Sequence, residues 1–117
     1  MTAAAILDEL KPLGKDSYRK VLLNHGAAEP LYGVKIEDLK KIQKRIKKDC
    51  QLALDLWDTG VYDARYLAGL IADDARMTKA DLQHWLDTAC PPLAGCIVPW
   101  VAAGSPHGWE IALEWID

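Results

Sequence analysis

Lys35-Ile-Glu-Asp-Leu-Lys-Lys-Ile-Gln-Lys-Arg-Ile-Lys-Lys48 is the most regular stretch of the chain. Ile36, Leu39, Ile42 and Ile46 recur at helical spacing, while Lys40, Lys41, Lys44, Lys47 and Lys48 fall on roughly the opposite side. The spacing predicts an amphipathic helix that buries one face and offers a lysine ridge. No strand alternation or hairpin dipeptide elsewhere in the chain competes with a helical reading.

The same punctuation extends in both directions. Upstream, Thr2 is an N-cap candidate for a helix through Leu10, which stops near Pro12 and Gly14. A second helix over residues 16–25 puts Tyr18, Val21, Leu22 and His25 on one stripe and ends at Gly26. Downstream, Asp49 caps a helix over 50–59 closed by Gly60, and a further helix spans 61–72. Thr78 with Asp81 resembles a capping box opening a helix to about Thr88. Pro91-Pro92 breaks the pattern, a short apolar segment spans 93–102, and Ser105-Pro106 starts a last helix. About eight short helices joined by short turns predict an all-α chain of stacked antiparallel pairs. An α-α superhelix of HEAT-like type and a plain bundle both fit that pattern.

Composition agrees. Leucine and alanine number 32 against nine valines and threonines with no phenylalanine, which favours helix over strand. One domain over residues 1–117 is expected, with half the residues apolar and able to build a core. No apolar run reaches the roughly 18 residues of a membrane span, and residues 1–10 lack a basic leader pattern. A cytoplasmic protein is the expectation. Cys50, Cys90 and Cys96 are too few and too irregular for a disulfide framework, and with His25, His84 and His107 they complete no metal ligand set. Neither metal nor cofactor is expected.

The net charge of −3 hides a segregation. Residues 35–48 carry seven basic and two acidic residues, net +5; residues 1–34 balance at zero; residues 49–117 carry three basic against eleven acidic, net −8. Lys40, Lys41, Lys44, Lys47 and Lys48 therefore mark where an anionic partner could sit, since clustered lysines bind phosphates regardless of base sequence, although a solvated helix face also explains them. The tryptophans Trp57, Trp85, Trp109 and Trp115 sit beside leucines or isoleucines and read as packing; Trp100 has no assigned environment. Trp109, Leu113 and Ile116 form an apolar stripe in a helix still running at Asp117. That stripe suits a second copy, or the missing half of a longer solenoid.

Tyr32-Gly-Val-Lys-Ile-Glu-Asp-Leu-Lys-Lys41, and Leu56-Trp57 followed by Tyr62-Asp-Ala-Arg-Tyr-Leu-Ala-Gly-Leu-Ile71, resemble segments of the DNA alkylation repair family. Its members are bacterial alkylpurine DNA glycosylases made of HEAT-like helix pairs and are roughly twice this length, so the chain resembles an N-terminal half. The resemblance implies a basic surface holding duplex DNA by its backbone, and a catalytic aspartate among tryptophans just before an Ile-Val-Pro turn. Here that place reads Cys90-Pro-Pro-Leu-Ala-Gly-Cys-Ile-Val-Pro99. Gly95 aligns with the catalytic aspartate, and Ala112 stands near the supporting arginine. Neither stabilises a developing cation, so no catalytic residue is assigned. The resemblance thus implies a DNA-binding domain without glycosylase activity by itself. A glycosylase using other residues and a protein-interaction solenoid are the alternatives.

Overall fold

A computed structural model of the chain describes residues 2–73, 76–90, 93, 97, 98 and 101. The described elements are helices α1 (Ala3–Leu10), α2 (Asp16–Asn24), α3 (Ile36–Ile46), α4 (Cys50–Asp58), α5 (Tyr62–Ile71) and α6 (Lys79–Thr88), with a 3-10 turn at Lys11–Leu13. No strand occurs among the described residues, and no helix among them is long and apolar enough to cross a membrane. The expected helix after Ser105, with its Trp109, Leu113 and Ile116 stripe, lies outside the described residues, as do Gly95, Cys96, Trp100, His107, Ala112 and Trp115.

Helix starts follow the local chemistry expected of them. The hydroxyl of Thr2 accepts from Ala5 N at 3.2 Å, and the carboxylate of Asp49 accepts from Leu52 N at 3.0 Å. Thr78 and Asp81 make both arms of the capping box, each at 3.1 Å. Thr78→Ala removes one arm and leaves a first-turn N–H to solvent. It should lower stability by about 1 kcal/mol, or a melting temperature by roughly 5 °C in a thermal scan.

Helix α5 is the centre of the domain. Three residues join it to α4 as a helical hairpin, α3 packs on its other side, and α1 touches both α4 and α5. Its Ala64, Leu67, Ala68 and Ile71 are fully buried with Leu52, Leu56 and Trp57 of α4, Leu39 and Ile42 of α3, and Ile6 and Leu10 of α1. Trp57 and Trp85 stack at 4.5 Å with planes 8° apart, joining α4 to α6. Both expected packing tryptophans within the described residues therefore do pack. The stripe on α2 stays largely uncovered: the helix has no buried residue, Val21 is 47% exposed, and Tyr18, Arg19, Leu22 and Leu23 are half-buried.

The segment before α3 is held by one carboxylate. Asp63 of α5, 1% exposed, accepts from Tyr32 N at 2.5 Å and from Val34 N at 3.0 Å. Between them Gly33 has φ +81 and its carbonyl accepts from Lys15 N at 3.1 Å. A side chain there would meet Lys15 O at 2.5 Å and Arg19 N at 2.8 Å. The aromatic-Gly-Val stretch is thus the joint that locks α2, α5 and the entry to α3.

Candidate nucleic-acid interface

Helix α3 carries Glu37 and Asp38 in its first turn and Lys44 and Arg45 in its last, the order its dipole favours. It ends at its last apolar position, Ile46, before the final two lysines of the expected ridge. At Lys47 the backbone turns to φ +68, ψ −112 while Lys47 N donates to Gln43 O at 2.7 Å. A left-handed φ costs a side chain with Cβ roughly 1–2 kcal/mol. Lys47 and Lys48 therefore lie beyond the helix and not along its outer face, a correction to the straight ridge expected from sequence. Ile36 at the other end is 37% exposed, so only Leu39 and Ile42 of the apolar side are fully covered.

The turn folds the cations together. Lys40, Gln43, Lys44, Lys47 and Lys48 line a groove of about 410 Å³, and among the described residues no carboxylate lines it. Its residue Gln43 is tied to α5 through Nε2, which donates to Leu70 O at 3.3 Å, and the chain just beyond Lys48 is tied there by Asp49 N, which donates to Ile71 O at 2.9 Å. Asp49 directs its carboxylate to the first turn of α4.

Neighbouring cations point elsewhere. Lys41 pairs with Asp38 at 3.8 Å and Arg45 with Glu9 at 2.5 Å. Among the described residues Lys40, Lys44 and Lys47 meet no carboxylate within 4.0 Å. Four of the five lysines expected to act together are thus assembled, and Lys41 stands apart. Gln43 was not visible as a groove residue in the sequence, where it reads as an ordinary helix surface position.

A second cavity, about 200 Å³, opens at the opposite end of α5 between Tyr62, Arg65, Thr88, Cys90 and Glu29. Its charged groups are already used within the fold. Arg65 donates to Trp57 O at 3.0 Å and Thr88 O at 2.7 Å and lies 4.9 Å over the Trp57 ring, and Glu29 pairs with Arg19. Burial pulls the Arg65 pKa down, opposed by Cys90 and Asp58, and a guanidinium remains charged regardless. Burial, reinforced by Cys90, pushes the Tyr62 phenol well above its ordinary range and keeps it neutral.

No nucleophile and base are brought together among the described residues. His84 faces Asp58 at 3.2 Å, and the Cys50 thiol lies 3.9 Å from the Met77 sulfur. Burial, then the carboxylates of Asp81 and Asp73, pushes the Cys50 thiol up, away from a reactive thiolate.

Comparison with known proteins fits this architecture. The family described as DNA alkylation repair enzyme matches residues 6–96. Lin0241 of Listeria innocua and Lmo0209 of Listeria monocytogenes, both uncharacterized proteins, are each 36% identical over 81 residues, covering 66% of this chain and 36% of theirs. A solved structure described as "a new family of proteins related to the HEAT-like repeat DNA glycosylases with affinity for branched DNA structures" superposes with a TM-score of 0.92. It is 37% identical, and the match covers 99% of this chain and 50% of that one. The chain therefore spans half the length of that solved relative and about a third of the Listeria proteins. Matched by that family over residues 6–96 and superposed along 99% of its length on that solved relative, the chain belongs to the DNA alkylation repair family and has a HEAT-like repeat fold.

Proposed function

We propose that the domain binds the phosphate backbone of DNA through Lys40, Lys44, Lys47 and Lys48 and does not by itself excise bases. The observation that carries this reading is the groove of about 410 Å³ in which these lysines and Gln43 converge. Lysines arranged this way displace counterions from phosphates and read no base. The affinity for branched DNA attributed to the solved relative supports a nucleic-acid partner and makes a junction the preferred ligand over a plain duplex. At the positions that resemble the family's catalytic aspartate and supporting arginine, Gly95 and Ala112 offer no charge to a developing sugar cation.

Fluorescence anisotropy with a labelled three-way junction and a labelled duplex tests the binding. Four lysine contacts should give a plot of log affinity against log salt with a slope of about −3.6, at 0.9 per phosphate. A slope near zero, or no binding at 50 mM salt, sinks the proposal. Release of methylated purines from alkylated DNA by this domain alone would instead favour the glycosylase reading.

A further inference from the structure

The lysines at the end of α3 sit at the one place where the described backbone is strained without a glycine. Elsewhere the chain uses glycine for this geometry: Gly26, beyond α2, has φ +95, and Gly60, beyond α4, has φ +78. Beyond α3 the same reversal is made by Lys47, the one non-glycine with positive φ among the described residues. A glycine would relieve the backbone there but would remove an ammonium from the groove.

We infer that Lys47 is a strained anchor that converts the lysines of α3 from a ridge along one strand into a clamp for closely spaced phosphates. This rests on the reading of the groove as a phosphate site. In a continuous helix, Lys40 and Lys48 would be separated by about 12 Å along the axis, at 1.5 Å per residue. The reversal at Lys47 instead brings Lys40, Lys44, Lys47 and Lys48 around one groove of about 410 Å³. The charge of Lys40, Lys44 and Lys47 alone exceeds what a single phosphodiester neutralises, so the matching ligand presents several phosphates at once. Backbones of different strands converging at a branch point do this, and so does a short inorganic polyphosphate. The tether from Gln43 to Leu70 O holds the inner wall of the clamp against α5.

Titration calorimetry with inorganic tripolyphosphate and with orthophosphate, on the wild-type chain and on Lys47→Ala, Lys47→Gly and Lys41→Ala, tests the clamp. Tripolyphosphate should bind the wild type at least tenfold more tightly than orthophosphate. Lys47→Ala and Lys47→Gly should each weaken tripolyphosphate at least fivefold. Lys41→Ala, the same charge change outside the groove, should weaken it less than twofold, whereas a simple ridge makes the losses equal. In a thermal scan Lys47→Gly should melt several degrees above Lys47→Ala, because both lack the amine and only glycine relieves the backbone. Equal tripolyphosphate losses for Lys41→Ala and Lys47→Ala, or a Lys47→Gly variant that melts no higher than Lys47→Ala, overturns the inference. Tripolyphosphate bound through Lys47 by a chain that binds no DNA would uphold the clamp and remove the DNA reading. DNA binding that needs the other lysines but not Lys47 would do the reverse.

Discussion

Asp63→Ala is expected to lower the melting temperature by roughly 10–20 °C, corresponding to about 3–5 kcal/mol. The carboxylate is almost fully buried and accepts from two backbone N–H groups, Tyr32 and Val34, across the joint between α5 and the entry to α3. Alanine leaves both donors without an acceptor, one of them at Val34, which is itself 2% exposed. Each unsatisfied donor costs about 1–3 kcal/mol, and bonds to a charged acceptor lie at the upper end. Asp63→Asn should fall between, because its amide keeps one acceptor and turns a donor toward the other N–H. A thermal scan of the three proteins by circular dichroism decides it; an alanine variant melting within 3 °C of wild type would show that the joint is held by something else.

Neither partner of that joint was legible as such. The Tyr32-Gly-Val stretch was noticed as a family likeness, yet its physical reason lies 29 to 31 residues away, in an aspartate that sits inside an otherwise apolar helix sequence. An acidic residue enclosed by Tyr62, Ala64 and Leu67 was the available signal. What was legible is what is encoded locally. Thr2, Asp49 and Thr78 cap their helices because an N-cap needs only the next three residues. Trp57 and Trp85 were placed in the core by their leucine neighbours. For α2, periodicity identifies an apolar side but does not say whether another helix arrives to cover it, and none of its residues is buried. For the groove, the five lysines were found but their geometry was not. Helical spacing was extended through Lys48, and nothing in Lys-Lys-Asp announces a left-handed turn of the kind usually signalled by glycine.

That turn determines how a charge reversal should behave. Changing Lys40, Lys44, Lys47 and Lys48 together to glutamate should reduce junction binding on the order of 10² to 10³-fold at 50 mM salt and remove most of the salt slope of about −3.6. All four side chains leave the groove positively lined in the wild type, and none is needed for the core: each is exposed, and the buried side of α3 is carried by Leu39 and Ile42. The helix should therefore persist, which an unchanged far-ultraviolet spectrum would verify. Lys41→Glu with Arg45→Glu makes a useful contrast, because these side chains already pair with Asp38 and Glu9 outside the groove. Their reversal should weaken binding only a few fold. If the double and quadruple variants lose affinity in proportion to charge alone, position in the groove is irrelevant and the interface is a diffuse one.

The segregation of charge also bears on how a DNA molecule arrives. Exposed Asp55 and Asp58 on α4 and Asp87 on α6 face outward, and residues 49–117 carry −8 against the +5 of residues 35–48. At physiological ionic strength a charge is felt over about 8 Å. If α3 is the DNA-binding face proposed above, a duplex nearing these acidic faces of α4 and α6 is turned away, and attraction begins only when the open side of α3 comes within that distance. Encounter would then be orientation-selective: few collisions would be productive, and those few would already have a strand aimed at Lys40 and Lys44. Dilute salt lengthens the reach of the repelling faces together with that of the groove, so the rate of capture should respond to ionic strength less steeply than the lifetime of the complex.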